Sequence, residues 1–246
     1  MRQTIENRRI TLITGHYGSG KTEFAVNYAL ALAARGDRTA LVDLDIANPY
    51  FRSRERQALL EAQGIAVYSN VYHTEITAEL PAITASIRAP LEHQDVTTVV
   101  DAGGDAAGAM VLIQFRKYFQ GDDCELLCVI NANRPDTATL EGALEHVLAI
   151  QRMVGIPVSG LVNNTHMLRE TRPQDIVKGQ RLCAQLSRRL EVPIRYTCCM
   201  ADLAQEVQGL LEGEFGPVNL FPIEELKMRE SWLDVAVRRP HRSPIF

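Results

Sequence analysis

The sequence contains no apolar run that approaches the roughly 20 residues a bilayer span requires, and its start, MRQTIENRRI, is polar where a secretory leader carries an apolar stretch. Neither membrane binding nor export is expected. A surplus of positive charge is also missing. The 26 Lys and Arg against 30 Asp and Glu give a formal net charge of −4, which argues against general nucleic-acid binding, because that needs a dense excess of cations. Cysteine is scarce and odd in number. Cys124, Cys128, Cys183, Cys198 and Cys199 lack the regular spacing of a disulfide framework. They read as reduced thiols of a cytoplasmic chain, Cys128 being a small core residue inside an apolar run. A shared cluster or zinc site built on Cys124, Cys128, Cys198 and Cys199 is the alternative. Internal repeats, low-complexity tracts and long linkers are absent, so one domain over residues 1–246 is expected.

What is present is an alternation. Short β-branched or apolar runs at 10–14 (ITLIT), 39–43 (TALVD), 97–101 (TTVVD), 126–131 (LLCVIN), 157–164 (PVSGLVNN) and 192–197 (VPIRYT) are separated by stretches with helical spacing. The runs are apolar almost continuously, as strands buried on both faces should be. This predicts an α/β three-layer sandwich, with a mostly parallel central sheet and helices on both faces. Helices are expected after the first run, from Phe24 through Leu32 to a stop at Gly36, then over 137–155, 174–190 and 201–211. Residues 70–95 show no clear pattern. A C-terminal helical extension is expected at about 222–239, with Ile223, Leu226, Leu233 and Val237 on one face. Its polar face mixes Glu224, Glu225, Glu230 and Asp234 with Lys227 and Arg229, which predicts docking on the protein's own surface rather than on a membrane.

Gly15, His16, Tyr17, Gly18, Ser19, Gly20, Lys21 and Thr22 fit G-x-x-x-x-G-K-[ST], after a predicted strand and at the start of a predicted helix. Glycines let the backbone wrap an anion, successive N–H groups point inward, and the helix dipole adds a positive field. Lys21 would reach the β- and γ-phosphates and the Thr22 hydroxyl would take a Mg²⁺ position. Carboxylates are needed to manage the metal and an attacking water. Asp101 ends the run TTVVD and is followed by Ala102, Gly103 and Gly104. Asp43 and Asp45 end the second run, and their spacing of two places them on the same face of an extended segment.

GHYGSGKT, VDLDIANPYF, VVDAGG and LVNN, in this order over roughly residues 9–200, resemble the MinD/ParA/CobQ branch of P-loop proteins, which includes nitrogenase iron protein and the cobyrinate and dethiobiotin synthases. The resemblance implies the P-loop NTPase fold and an ATP-driven switch, often a nucleotide-sandwich homodimer. It implies that Asp45 orients water, that Asp43 and Asp101 flank the metal with Thr22, that Gly104 falls at the second switch, and that Asn163 contacts adenine. The second loop residue departs from the pattern: the signature lysine of MinD and ParA is replaced by His16, which is shorter and mostly neutral at pH 7 when unperturbed. Arg52 and Arg54 are either substitutes for its charge or residues of a solvated loop. Asn163-Asn164-Thr165-His166 stands where related GTPases carry N/T-K-x-D. The guanine-binding Asp is absent, which favours ATP, with ADP as the product. Two functions follow: a slow Mg-ATPase that switches a protein partner, or an ATP-dependent ligase or kinase with a small-molecule acceptor near Tyr50 to Arg54.

Overall fold

A computed structural model describes residue 5 and residues 7–45, 53–69, 80–104 and 111–228, without the side chains of residues 54, 55 and 80–85. Its centre is an eight-stranded sheet of β1 (Ile10–Gly15), β2 (Thr39–Asp43), β3 (Ala66–Ser69), β4 (Thr97–Asp101), β5 (Cys124–Ile130), β6 (Gly160–Asn163), β7 (Ile194–Met200) and β8 (Leu220–Ile223). The spatial order is β3-β2-β4-β1-β5-β6-β7-β8, and every pairing is parallel. The helices are α1 (Lys21–Ala34), α2 (Gln57–Ala62), α3 (Leu80–Glu92), α4 (Leu140–Val154), α5 (Pro173–Leu190) and α6 (Ala204–Phe215).

The continuous apolar runs have their explanation in two cores, one on each face of the sheet. Alternate side chains go to opposite sides. Leu12, Leu126, Cys128 and Ile130 pack with Ala143, Val147 and Ile150 of α4 and Leu186 of α5. Their neighbours Ile13, Leu127 and Val129 pack with Phe24, Tyr28 and Leu32 of α1. Residues of both sets are essentially without solvent contact. The three-layer α/β sandwich expected from the sequence is therefore what forms. Among the described residues, no helix is long and apolar enough to cross a membrane.

The chain leaves β1 for β2, which lies beyond β4, whereas β5 pairs on the other side of β1. Strand order reverses around β1. In parallel sheets such a reversal opens a crevice at the carboxyl ends of the strands, and that is where ligands bind. Gly15, Asp43 and Asp101 are the terminal residues of β1, β2 and β4.

Two strands were not legible. β3 is a four-residue edge strand with no buried residue, so it lacks the apolar run that marks the central strands. At the other edge, β8 occupies Leu220–Ile223 and corrects the start of the helix expected at 222–239. Leu220, Phe221 and Ile223 are buried there, Pro222 is tolerated in an edge strand, and residues 224–228 are neither helix nor strand. The remainder of that predicted helix lies outside the described residues.

Candidate functional site

The loop between β1 and α1 is built by glycines where a side chain has no room. Gly18 and Gly20 have φ of 74° and 81°, the left-handed region that glycine enters without strain. A Cβ on Gly18 would lie 2.6 Å from the Arg134 guanidinium, and one on Gly20 would collide with the Asn164 amide. Ser19 N–H donates to His16 O at 2.9 Å and closes the turn. α1 then starts with no side-chain cap, so its first N–H groups and the positive end of its dipole remain available to an anion.

Strand register brings the acids to this loop. Asp43 and Asp101 are paired Cα partners at the ends of β2 and β4, and Asp101 is also opposite Ile13 of β1. Asp45 N–H donates to Asp43 Oδ1 at 3.1 Å, and Lys21 Nζ lies 2.8 Å from Asp45 Oδ2. Lys21, Asp43 and Asp45 are at most 5% exposed, and Asp101 is fully buried. Burial, followed by repulsion from Asp43, holds the Asp101 carboxyl well above the usual carboxylate range, against the pull of Lys21. The Thr22 hydroxyl is near enough to favour the ionised form, yet Thr22 Oγ1 and both Asp101 oxygens lack a partner in hydrogen-bonding geometry, as does Ser19 Oγ. Buried polar atoms without partners cost free energy.

Three carboxylates around one lysine leave this buried cluster short of positive charge. A small hard cation fits that deficit and the oxygen donors of Thr22, Asp43 and Asp101. Among the described residues no group of three or more His, Cys, Asp or Glu is arranged to hold a metal. The same observation gives no support to a cysteine-based cluster. Burial pushes the Cys128 thiol up to about 12, as suits a core residue. Gly104 also belongs to the site: a Cβ there would collide with Gly15 O, and Ala102 N–H donates to Ile13 O at 2.9 Å.

The His16 ring turns toward other residues of the chain, while Tyr17 lines a cavity together with Gly18 and Gly20. His16 Nε2 is 3.5 Å from Asp136 Oδ2, and its ring meets His146 edge-on with centroids 5.1 Å apart. Burial pulls His146 down to about 4, with His16 adding to the effect and Asp136 opposing it. Tyr17 is 62% exposed. Arg52 and the side chain of Arg54 lie outside the described residues, as do Tyr50 and Phe51 of the expected acceptor region.

The expected base contact needs correction. Asn163 is fully buried and fully engaged: Nδ2 donates to Ile176 O at 3.0 Å and Gln180 Oε1 at 3.1 Å, and Oδ1 accepts Thr165 N–H at 3.2 Å. It fastens β6 to α5 and is not among the residues that line the cavity beside the glycine loop. Its neighbour Asn164 donates to Ser19 O at 2.8 Å and lines a cavity of about 260 Å³, with Thr165 and His166, that runs from the glycine loop toward β7 and β8. His166, the last residue of the Asn163-Asn164-Thr165-His166 segment, thus joins the candidate site. Sequence reasoning also missed Arg134, whose Nε donates to Gly18 O at 2.8 Å from the loop after β5. No motif announces an arginine reached through tertiary folding alone.

A family model described as the CobQ/CobB/MinD/ParA nucleotide-binding domain matches residues 10–197. Comparison with curated proteins gave no match. FtsY from Mycoplasma mycoides superposes with a TM-score of 0.51 at 16% identity, covering 79% of this chain and 60% of that one. Cell division protein FtsY from Thermotoga maritima gives 0.50 at 22%, covering 79% and 62%. The signal recognition particle 54 kDa protein from Aeropyrum pernix K1, solved in complex with GDP, gives 0.50 at 20%, covering 78% and 41%. The chain spans about three fifths of the two FtsY structures or less of the third, and at these identities the likeness is one of fold. With the loop, the strand-end aspartates and the sheet order in place, and with three quarters of its length matched, the chain belongs to the CobQ/CobB/MinD/ParA family of P-loop nucleotide-binding domains.

Proposed function

We propose that the protein is a Mg-dependent ATPase of low turnover that works as a nucleotide-controlled switch on a protein partner. One observation carries this reading: buried, unpartnered oxygens of Thr22 and Asp101 lie beside Lys21 at the mouth of a glycine loop. A site of stored polar strain is the usual mark of a ligand position. Thr22, Asp43 and Asp101 would hold Mg²⁺, which when bound neutralises charge on the phosphate oxygens. Lys21 and the loop amides bind phosphate. Asp45, once Lys21 turns to phosphate, is free to orient a water and accept its proton. ATP is preferred over GTP because in Asn163-Asn164-Thr165-His166 a histidine, not an aspartate, stands at the position that would bond guanine. The cytoplasm is the proposed location, in keeping with five free thiols.

The orientation of His16 favours a second reading. A residue turned toward Asp136 and His146 of its own chain does not supply a cation to a second subunit. That suits an ATP-dependent ligase or kinase acting on a small molecule.

Thermal unfolding with Mg-ATP, Mg-ADP and Mg-GTP tests the site. Ligand at about a hundred times its Kd adds about 2.7 kcal/mol, an upward shift on the order of 5–10 °C for this length. No shift with any nucleotide at millimolar concentration overturns the proposal. Phosphate release with ATP alone separates the two functions: turnover in the isolated protein supports the switch, and turnover only with an added metabolite supports the ligase or kinase.

A further inference from the structure

The cavity wall at the β8 end is made by irregular chain. Ile223, Leu226 and Met228 line it, and over residues 224–228 the backbone follows neither a helix nor a strand. Such a segment has no ladder of its own to hold it, and its apolar side chains could pack in several ways. Among the described residues, one carboxylate binds its backbone at two points. Glu23 accepts the backbone N–H of Lys227 on Oε1 at 2.7 Å and that of Met228 on Oε2 at 2.9 Å. Asn27, one turn along α1, donates to the same Oε1 at 2.7 Å and steadies the Glu23 side chain. Bonds from consecutive amides to the two oxygens of one carboxylate are charge-assisted, and they fix orientation as well as distance.

The position of Glu23 in the chain gives the contact its meaning. Glu23 follows Lys21 and Thr22 directly in the first turn of α1 and lines the same cavity. The strap of residues 224–228 therefore hangs from the helix that would receive phosphate, across 204 residues of sequence. Met228 is 5% exposed and packs into the core under α1, with Leu226 beside it. Together with Met200 and Ile176 they give this end of the cavity an apolar, thioether-rich surface. Flat aromatic rings pack well on such surfaces, whereas phosphate does not.

We propose that Glu23 is a positioning residue for the base of a bound nucleotide: by pinning the strap it sets Leu226 and Met228 as one wall of the base compartment. The inference rests on the reading of the cavity as a nucleotide site. It divides affinity into two separable parts. The glycine loop, Lys21 and Thr22 act on phosphate, and the strap acts on the base alone.

The test is calorimetric titration of the full chain with Mg-ATP and, separately, with inorganic Mg-tripolyphosphate, which has the phosphates and no base. Glu23→Ala is expected to weaken ATP about tenfold, the loss of roughly one well-packed apolar contact, and to leave tripolyphosphate unchanged within about twofold. Glu23→Gln keeps one accepting oxygen and recovers part of the loss. Leu226→Ser, which leaves α1 intact, reproduces the ATP-selective loss, and it carries the test if Glu23→Ala does not fold. In hydrogen exchange the Lys227 and Met228 amides are slowed by ATP in the wild type and not by tripolyphosphate. Equal weakening of both ligands, or unchanged ATP affinity in Leu226→Ser, overturns the inference while leaving the nucleotide site standing. A wild-type protein that binds neither ligand overturns the nucleotide reading and the strap together.

Discussion

Lys21 Nζ lies 2.8 Å from Asp45 Oδ2, with both side chains almost wholly out of water. The lysine of the phosphate loop is thus paired with the residue proposed to orient water, and a phosphate must draw it away or share it. Removing one member of a buried pair leaves the other charge uncompensated, at a cost of about 3–5 kcal/mol. Lys21→Ala is accordingly expected to lower the thermal midpoint on the order of 10 °C, apart from abolishing phosphate binding. The double variant Lys21→Met, Asp45→Leu removes both charges and is expected to recover most of that loss while staying unresponsive to nucleotide. A Lys21→Ala protein as stable as the wild type would show that the pair is not desolvated.

Asp45→Asn keeps the shape and removes the charge that competes for Lys21. Nucleotide affinity is expected to rise several-fold. Turnover is expected to fall about a hundredfold or more, the usual contribution of a positioned base. Binding and single-turnover measurements on one preparation check both directions. Turnover that survives the substitution assigns the water to another residue.

Asp101 offers a pH dependence with a definite sign. Its carboxyl is held well above the usual range by burial and by Asp43, so ionising it costs the folded chain stability when no cation is bound. A raised carboxyl contributes stability that is present below the unfolded value of about 3.9 and lost as pH rises through the folded value. Asp101→Asn mimics the protonated form. It is expected to raise the thermal midpoint of the ligand-free protein at pH 7, with an advantage over wild type that shrinks as pH is lowered toward 4. It should also remove the Mg²⁺ dependence of nucleotide binding. An advantage independent of pH would remove ionisation as its cause.

Asp43 and Asp101 were legible in the sequence because each ends a buried strand, and Asp45 because it lies two residues beyond Asp43. Continuous runs such as TALVD and TTVVD can only be central strands, and a charged residue at the end of such a run must emerge at the sheet's carboxyl edge. The loop was legible for a similar local reason: its glycine spacing encodes backbone shape directly. What escaped was long-range or marginal. Arg134, Asn164 and Glu23 reach the site through contacts more than a hundred residues apart, and nothing in their neighbourhoods announces those partners. The edge strand β3 lacks a two-sided apolar pattern because an edge buries less, and β8, though mostly buried, is only four residues long and contains Pro222. Asn163 was misassigned by one position: in a strand, adjacent residues point to opposite sides, so a one-residue shift exchanges a core residue for a cavity residue.

That one-residue difference is itself testable. Asn163 satisfies Ile176 O and Gln180 Oε1 in the core, and Thr197 completes the network by donating to Gln180 Oε1 at 2.7 Å. Asn163→Ala takes the acceptor from the buried Thr165 N–H and removes both bonds to α5, and is expected to destabilise by about 1–3 kcal/mol, without changing preference between ATP and GTP in protein that remains folded. Asn164→Ala instead frees the Ser19 carbonyl beside the phosphate loop, so it is expected to weaken nucleotide binding with a smaller effect on stability. Gly179 of α5 provides an independent check on the same packing. On helix propensity alone, Gly179→Ala should stabilise by about 1 kcal/mol. Its Cβ, however, would collide with Thr165 Oγ1 and Asn163 Oδ1, and overpacking a rigid site costs about 1–3 kcal/mol. The steric effect should win, giving a protein less stable than wild type and weaker for nucleotide, since Thr165 lines the cavity. Denaturant unfolding and nucleotide titration of the three variants decide it. A stabilised Gly179→Ala protein with normal affinity would mean that α5 stands further from β6 than this packing requires.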